Sequence, residues 1–272
     1  MGDWLDLSKN HKFVQDNRMI KAQYSRNISL IGQKIVRIAI ANVNSVDDDT
    51  FFTYRVKLSH LAKLLEIEKN KDIYRDVKKA AGEILETKIL IEQERKKGSF
   101  RQYNLFSYFD YNDGEGTVTI RFNPDMNEFL LKLKKDFTQI ALEDVLFMSH
   151  KYSIRIYELI RMKLKRAKVY GDQHKKIEIT VDEIRKATNT VNIYKQIGQL
   201  KDFVLLPALK DIENNASYHC EMEYIKEGRK IVGFELDVWS INGWQYKQLQ
   251  SNQIDGQLSL FDESPEEPHI EN

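Results

Sequence analysis

Six histidines, His11, His60, His150, His174, His219 and His269, are the first places to look for catalysis or metal binding. No two of them stand at metal-ligand spacing, and no Cys-x-x-Cys accompanies them. A rolling-circle strand-nicking enzyme is expected to show a His–apolar–His pair near a nucleophilic tyrosine, and the chain has no such pair. It also lacks the Gly-x-x-x-x-Gly-Lys-Ser/Thr loop that cradles nucleotide phosphates. His60 and His150 each follow a serine and read as surface residues at helix starts. The tyrosines have no activating base and read as packing or phosphate-contacting groups. We therefore expect no catalytic residue, no metal and no cofactor. What remains is the chemistry of Lys, Arg and Gln: cations that pair with phosphate, and amides that match adenine edges. The candidates are Arg75, Lys78 and Lys79; Arg95, Lys96 and Lys97; Lys151 and Arg155; Lys195, Gln196, Gln199, Lys201 and Lys210; and Arg229 and Lys230, with Lys226 beside them. Each taken singly also reads as a solvated surface residue. As a set, repeated on equivalent elements, they favour DNA.

The elements that must position these groups follow from pattern. Phe147–Lys168 carries Tyr152, Ile156, Ile160 and Leu164 at helical spacing, and Ser149 is a good N-cap. Its remaining positions are heavily basic, among them Lys151, Arg155, Arg161, Lys163, Lys165, Arg166 and Lys168. This predicts a helix that packs on one side, opens a second domain and presents positive charge on the other. Before it the chain reads as a loose polar arm to about residue 27, a helix over Ile28–Val43, a strand over Phe51–Leu58, a helix capped by Ser59, and a helix over Lys71–Thr87. Two strands follow, Lys88–Glu94 and Phe100–Tyr111, around the basic turn Arg95–Ser99. A third strand spans Thr117–Phe122, and Pro124 starts a short helix. Ile140–Met148 reads as a short connecting helix. The order then repeats: a strand over Lys176–Ile179, a helix capped by Thr180, a longer helix over Tyr194–Asn214, and strands Tyr218–Lys226 and Lys230–Trp239 joined by Glu227-Gly228-Arg229.

Each half thus reads helix, strand, helix, helix, hairpin, the order of a winged helix. The match continues below element order: Val77-Lys78-Lys79-Ala80-Ala81 … Leu85 shares its spacing with Val204-Leu205-Leu206-Pro207-Ala208 … Ile212. The fold class expected is α+β, two tandem winged-helix domains related by an internal pseudo-repeat. The divisions are an arm over 1–27, domains over 28–136 and 137–245, and a disordered acidic tail over 246–272.

Composition agrees with this reading. The 272 residues are 42% hydrophobic and 31% charged, with a formal net charge of +1. That near-neutrality hides an asymmetry: Asp255, Asp262, Glu263, Glu266, Glu267 and Glu271 lie in the final stretch without a basic partner, and the body without it is basic. The single Cys220 excludes an internal disulfide and fits a reducing cytoplasm. No apolar run is long enough to span a membrane, and the N-terminus lacks a signal-peptide pattern.

The segment Phe147-x-Ser149-x-Lys151-Tyr152-Ser153-Ile154-Arg155-Ile156-Tyr157-Glu158-Leu159 resembles the signature of theta-type plasmid replication initiators, paired winged-helix proteins that bind repeated origin sequences (iterons). The later stretch Val204-Leu205-Leu206-Pro207-Ala208-Leu209-Lys210-Asp211-Ile212 is similar to a second pattern of that family. Lys201 matches as well, whereas Leu206 stands where a basic residue is common. The resemblance covers about residues 10–245. It implies monomers that bind double-stranded origin repeats, help open the duplex and recruit host replication proteins. It also implies a dimer, joined mainly through the first domain, that represses its own promoter. In the tail, Gln257-Leu258-Ser259-Leu260-Phe261 matches the bacterial sliding-clamp-binding pentapeptide, so a clamp is an expected partner. A winged-helix repressor acting only on its own promoter is the alternative, and it has no evident use for a clamp motif.

Overall fold

The computed structural model describes residues 11–65, 72–93, 98–112, 114–165, 173–242 and 245, with the backbone of residues 3 and 4. In chain order the elements are β1 (Asp3–Trp4), β2 (Lys12–Asp16), α1 (Asn17–Lys21), β3 (Gln23–Tyr24), α2 (Leu30–Ala41), β4 (Thr53–Lys57), α3 (Leu58–Leu64) and α4 (Ile73–Glu86). Next come β5 (Lys88–Glu92), β6 (Phe100–Asn104), β7 (Phe106–Asn112), β8 (Thr117–Phe122), α5 (Asn127–Leu130), β9 (Phe137–Ala141) and α6 (Glu143–Leu146). The rest is α7 (Ser153–Leu164), β10 (His174–Thr180), α8 (Val181–Ala187), α9 (Ile197–Leu200), α10 (Leu206–Asn215), β11 (Tyr218–Glu227) and β12 (Lys230–Ser240).

Two winged-helix units are present, and their sheets correspond. In the second unit the strand order is β10-β12-β11; in the first it is β1-β4-β8-β7, so β4, β8 and β7 take the places of β10, β12 and β11. All of those shared pairings are antiparallel. The hairpin β5–β6 is an addition, paired with β3 in a separate three-stranded sheet. This corrects the reading of Phe100–Tyr111 as one strand. The chain breaks at the buried Leu105, and the two pieces join different sheets.

Helix starts are set locally. The Ser29 hydroxyl accepts from the Gly32 amide, and the Glu83 carboxylate of α4 accepts from the Ser29 amide at 2.8 Å. Thr180 and Glu183 form a reciprocal capping box that starts α8. Gly32 makes room for the Ile28 side chain, since a Cβ there would lie 2.5 Å from Ile28 Cγ2, while Ala80 of α4 would stand at 3.6 Å.

Three further expectations change. From residue 11 onward the arm is not loose. β2 pairs with β9, β3 pairs with β5, and Phe13, Met19 and Ile20 are core residues. Its polar residues misled because they are buried with partners: Gln15 donates to Glu158, and Asp16 accepts from Arg18. The stretch Ile140–Met148 divides between β9 and α6. The central helix, α7, begins at Ser153 without a side-chain cap, and Ser59 does not cap α3, whose N-cap is Lys57. Every residue of α7 except Arg161 and Lys163 is buried, so it is a core helix enclosed on all sides and carries no free basic face. Arg161 donates to the Tyr218 hydroxyl, and Lys163 pairs with Glu183 at 2.7 Å. Arg166 and Lys168 lie outside the described residues. None of the described helices is long and apolar enough to cross a membrane.

Candidate nucleic-acid interface

A winged helix offers its partner the outward face of its last helix. In α4 the buried face is Val77, Ala80, Ala81 and Ile84, which leaves Arg75, Lys78 and Lys79 exposed. Arg75 is held by Asp72 at 3.0 Å and Asp76 at 3.5 Å, and the Lys78 ammonium lies 5.8 Å from the centre of the Tyr111 ring. Such surface pairs are weak and exchange readily for a phosphate.

The second unit builds the same helix in three pieces. Pro207 has no amide proton for the Phe203 carbonyl, and its ring crowds that carbonyl. The chain answers by widening Lys201–Leu205 into a π turn, in which the Leu206 amide donates to the Lys201 carbonyl. The expected helix over Tyr194–Asn214 starts only at Ile197, with Tyr194, at a φ of 52°, Lys195 and Gln196 ahead of it. The extra residue of the π turn also shifts the repeat. By burial, Val77, Ala80, Ala81 and Ile84 match Leu205, Ala208, Leu209 and Ile212, one position later than the sequence spacing suggests. One exposed line holds Gln196, Gln199, Phe203, Leu206 and Lys210, spaced alternately three and four apart, with Gly198 and Asp202 exposed beside it. Lys210 pairs with Glu213 at 2.8 Å. Lys201 leans to the hairpin, 6.0 Å from the centre of the Tyr224 ring, and pairs with Asp202 at 3.3 Å.

Sequence reasoning missed the residue that shapes the approach to this helix. Arg185 of α8 donates to the carbonyls of Thr190, Ile193, Tyr194 and Lys195 at 2.8–3.1 Å. Tyr194 has a φ of 52°, a conformation that disfavours a tyrosine, and these four bonds hold it there. No local pattern marks a guanidinium that closes a turn. The β11–β12 hairpin turns at Gly228, φ 60°, and leaves Lys226, Arg229 and Lys230 exposed at its tip.

Arg155 leaves the candidate interface. It is 4% exposed, bonds Glu158 at 2.7 Å, and donates to the carbonyls of Ile20, Ala22 and Ala187. It cannot reach a phosphate. Glu158 also receives Arg37 of α2 through two 2.9 Å bonds, and Gln15 at 2.9 Å. Burial alone would push the Glu158 carboxyl up, but the guanidinium groups, Arg37 foremost, outweigh it and hold it below the usual carboxylate range. One buried node thus ties β2, α2 and α7 together. Lys151 stays exposed, its ammonium 4.7 Å from the centre of the Tyr152 ring. The Asp211 carboxylate accepts from both amides of Ser149 and His150 and from the Ser149 hydroxyl. The two sequence motifs therefore meet in space and bind each other.

Arg95, Lys96, Lys97 and the segment Gln257–Phe261 lie outside the described residues. The described strands before and after Arg95, Lys96 and Lys97, β5 and β6, are not the pair equivalent to the second unit's wing. That place belongs to the β7–β8 turn, which carries Glu115, paired with Arg55.

Comparison with known proteins adds three findings. A family model described as initiator replication protein, WH1, matches residues 12–161, and its companion, WH2, matches residues 180–238. A replication initiation protein from Escherichia coli is 28% identical over 191 residues, 70% of this chain and 56% of that protein. The chain thus spans little more than half the length of this curated relative. The crystal structure of the Pi initiator protein in complex with iteron DNA superposes with a TM-score of 0.70 at 19% identity, over 86% of this chain and 98% of that one. The likeness extends across both units.

Proposed function

We propose, from the premise that this chain belongs to the Rep3 family of initiator replication proteins, that it initiates plasmid replication by binding repeated origin DNA. The observation that carries the reading is the pair of equivalent, outward-facing helices, α4 and α10 with its N-terminal extension, each edged by Lys, Arg or Gln. Two such helices side by side can enter successive major grooves while flanking cations take the phosphates. The superposition on an initiator solved with iteron DNA supports the same use of the fold. In this reading the domains divide near residue 137 and the protein acts in the cytoplasm by binding, without strand chemistry of its own. The monomer occupies the repeats and opens the duplex with host replication proteins. A dimer represses the promoter, and Gln257–Phe261 engages the host's sliding clamp.

Footprinting on the replicon that encodes the chain tests the core of this. Protection of tandem repeats is the expected result. Protection confined to one operator at the chain's own promoter would leave only the repressor reading.

A further inference from the structure

The outward face of the second recognition helix holds two large apolar side chains, Phe203 at 54% exposure and Leu206 at 42%. They lie three residues apart, on the side opposite the core residues Val204, Leu205 and Ala208. We propose that Phe203 and Leu206 form an apolar reading surface for thymine methyl groups in the major groove. The inference rests on the DNA-binding reading above and adds to it the base feature that the second unit selects.

Four observations lead there. First, in the burial register the equivalent positions of α4 are Arg75 and Lys78. The same two outward places are cationic in one unit and apolar in the other, so the apolar pair is not a requirement of the fold. Second, Phe203 is pre-set. Its ring stacks on Tyr194 with centroids 5.6 Å apart and planes at 29°, and Tyr194 is itself fixed by Arg185 on its carbonyl. An aromatic group held in one orientation loses little freedom on binding. Third, the pair lies between Gln199 and Lys210 on one line of the helix, so it falls inside a footprint suited to a polyanion rather than to an apolar protein surface. Fourth, Asp202 is exposed beside Phe203. Its carboxylate is paired with Lys201 at 3.3 Å, so its charge is compensated and does not bar this stretch from the groove. The major-groove edges of the bases offer one apolar feature, the C5-methyl of thymine.

Uracil isolates that methyl, because it keeps every hydrogen-bonding edge of thymine and removes only the methyl group. The full chain would first select its preferred duplex from a random pool. Each thymine of that duplex would then be replaced by deoxyuridine, one at a time, and affinity measured by fluorescence anisotropy. At one or two thymines the natural chain should lose about fourfold, the worth of one buried methyl. Phe203→Ala or Leu206→Ala should bind more weakly and no longer distinguish thymine from uracil there. Equal affinity of the natural chain for all the uracil duplexes would overturn the proposal without needing any variant. Discrimination retained in both variants would overturn it too. Selection of no preferred duplex would instead remove the DNA-binding reading on which it stands.

Discussion

Glu158 sits between two guanidinium groups with no exposed surface of its own, and its value to the fold depends on its charge. Removing that charge leaves Arg37 and Arg155 buried without compensation, which costs about 3–5 kcal/mol in comparable cases. Glu158→Gln should therefore lower the thermal midpoint at neutral pH. Its folded carboxyl titrates below the ordinary 4.5, so the ionised form favours the native state. That contribution is complete above about pH 4.5 and is lost as the pH falls through the lowered folded value. The gap between the natural chain and Glu158→Gln should thus narrow on acidification, and melts from pH 7 to pH 3 would measure it. At the surface the expected contrast is different. Gln199→Ala should cost about 1–3 kcal/mol on the preferred duplex if the amide pairs with an adenine, and little on random DNA. Arg229→Ala at the hairpin tip should weaken both duplexes alike. Equal losses on both duplexes for Gln199→Ala would refute its reading role.

The α8–α9 turn shows how an element is positioned by a residue outside it. Arg185 satisfies four carbonyls of residues 190–195, and the strained Tyr194 then carries the ring on which Phe203 rests. Arg185→Ala should release the turn, reduce stability by about 1–3 kcal/mol for the unsatisfied carbonyls, and weaken duplex binding more than Lys210→Ala does. Unchanged binding with a lowered melting midpoint would confine Arg185 to stability. Pro207 acts on the same helix from within. By removing one amide it forces the π turn, and so decides which side chains of Lys201–Leu206 point outward.

For the whole molecule, charge should dominate the proposed association with DNA. Contact with about 6–10 phosphates gives a log–log salt slope of roughly −5 to −9. A slope near zero between low and moderate salt would exclude the proposed DNA contact. The segment Gln257–Phe261 belongs to the same scale, since it would act while the winged helices stay on DNA. A tethered contact of this kind has an effective concentration of about millimolar for a short flexible linker, so a roughly micromolar peptide affinity suffices. Calorimetry of a peptide spanning residues 250–272 against the host's sliding clamp should detect it, and Leu260→Ala with Phe261→Ala should abolish it. No heat of binding at high micromolar peptide would remove the clamp from the mechanism.

Several features of this protein were legible in residue order alone. The 3.6-residue spacing of Val77, Ala80, Ala81 and Ile84, and the N-cap Thr180, are local signals, so they marked elements wherever those elements came to lie. Two successive runs of the same elements were enough to identify paired winged helices. Long-range pairing was not legible, because a strand's partner leaves no mark in its own sequence. Only the tertiary structure assigned β8 rather than β6 to β4, and drew the arm into the sheets as β2 and β3. It also separated cations that composition treats alike. Lys78 and Lys79 face solvent, while Arg155, equally basic in the sequence, is enclosed with Glu158 in the core. Charge is a property of the residue, but access to a partner depends on what packs around it.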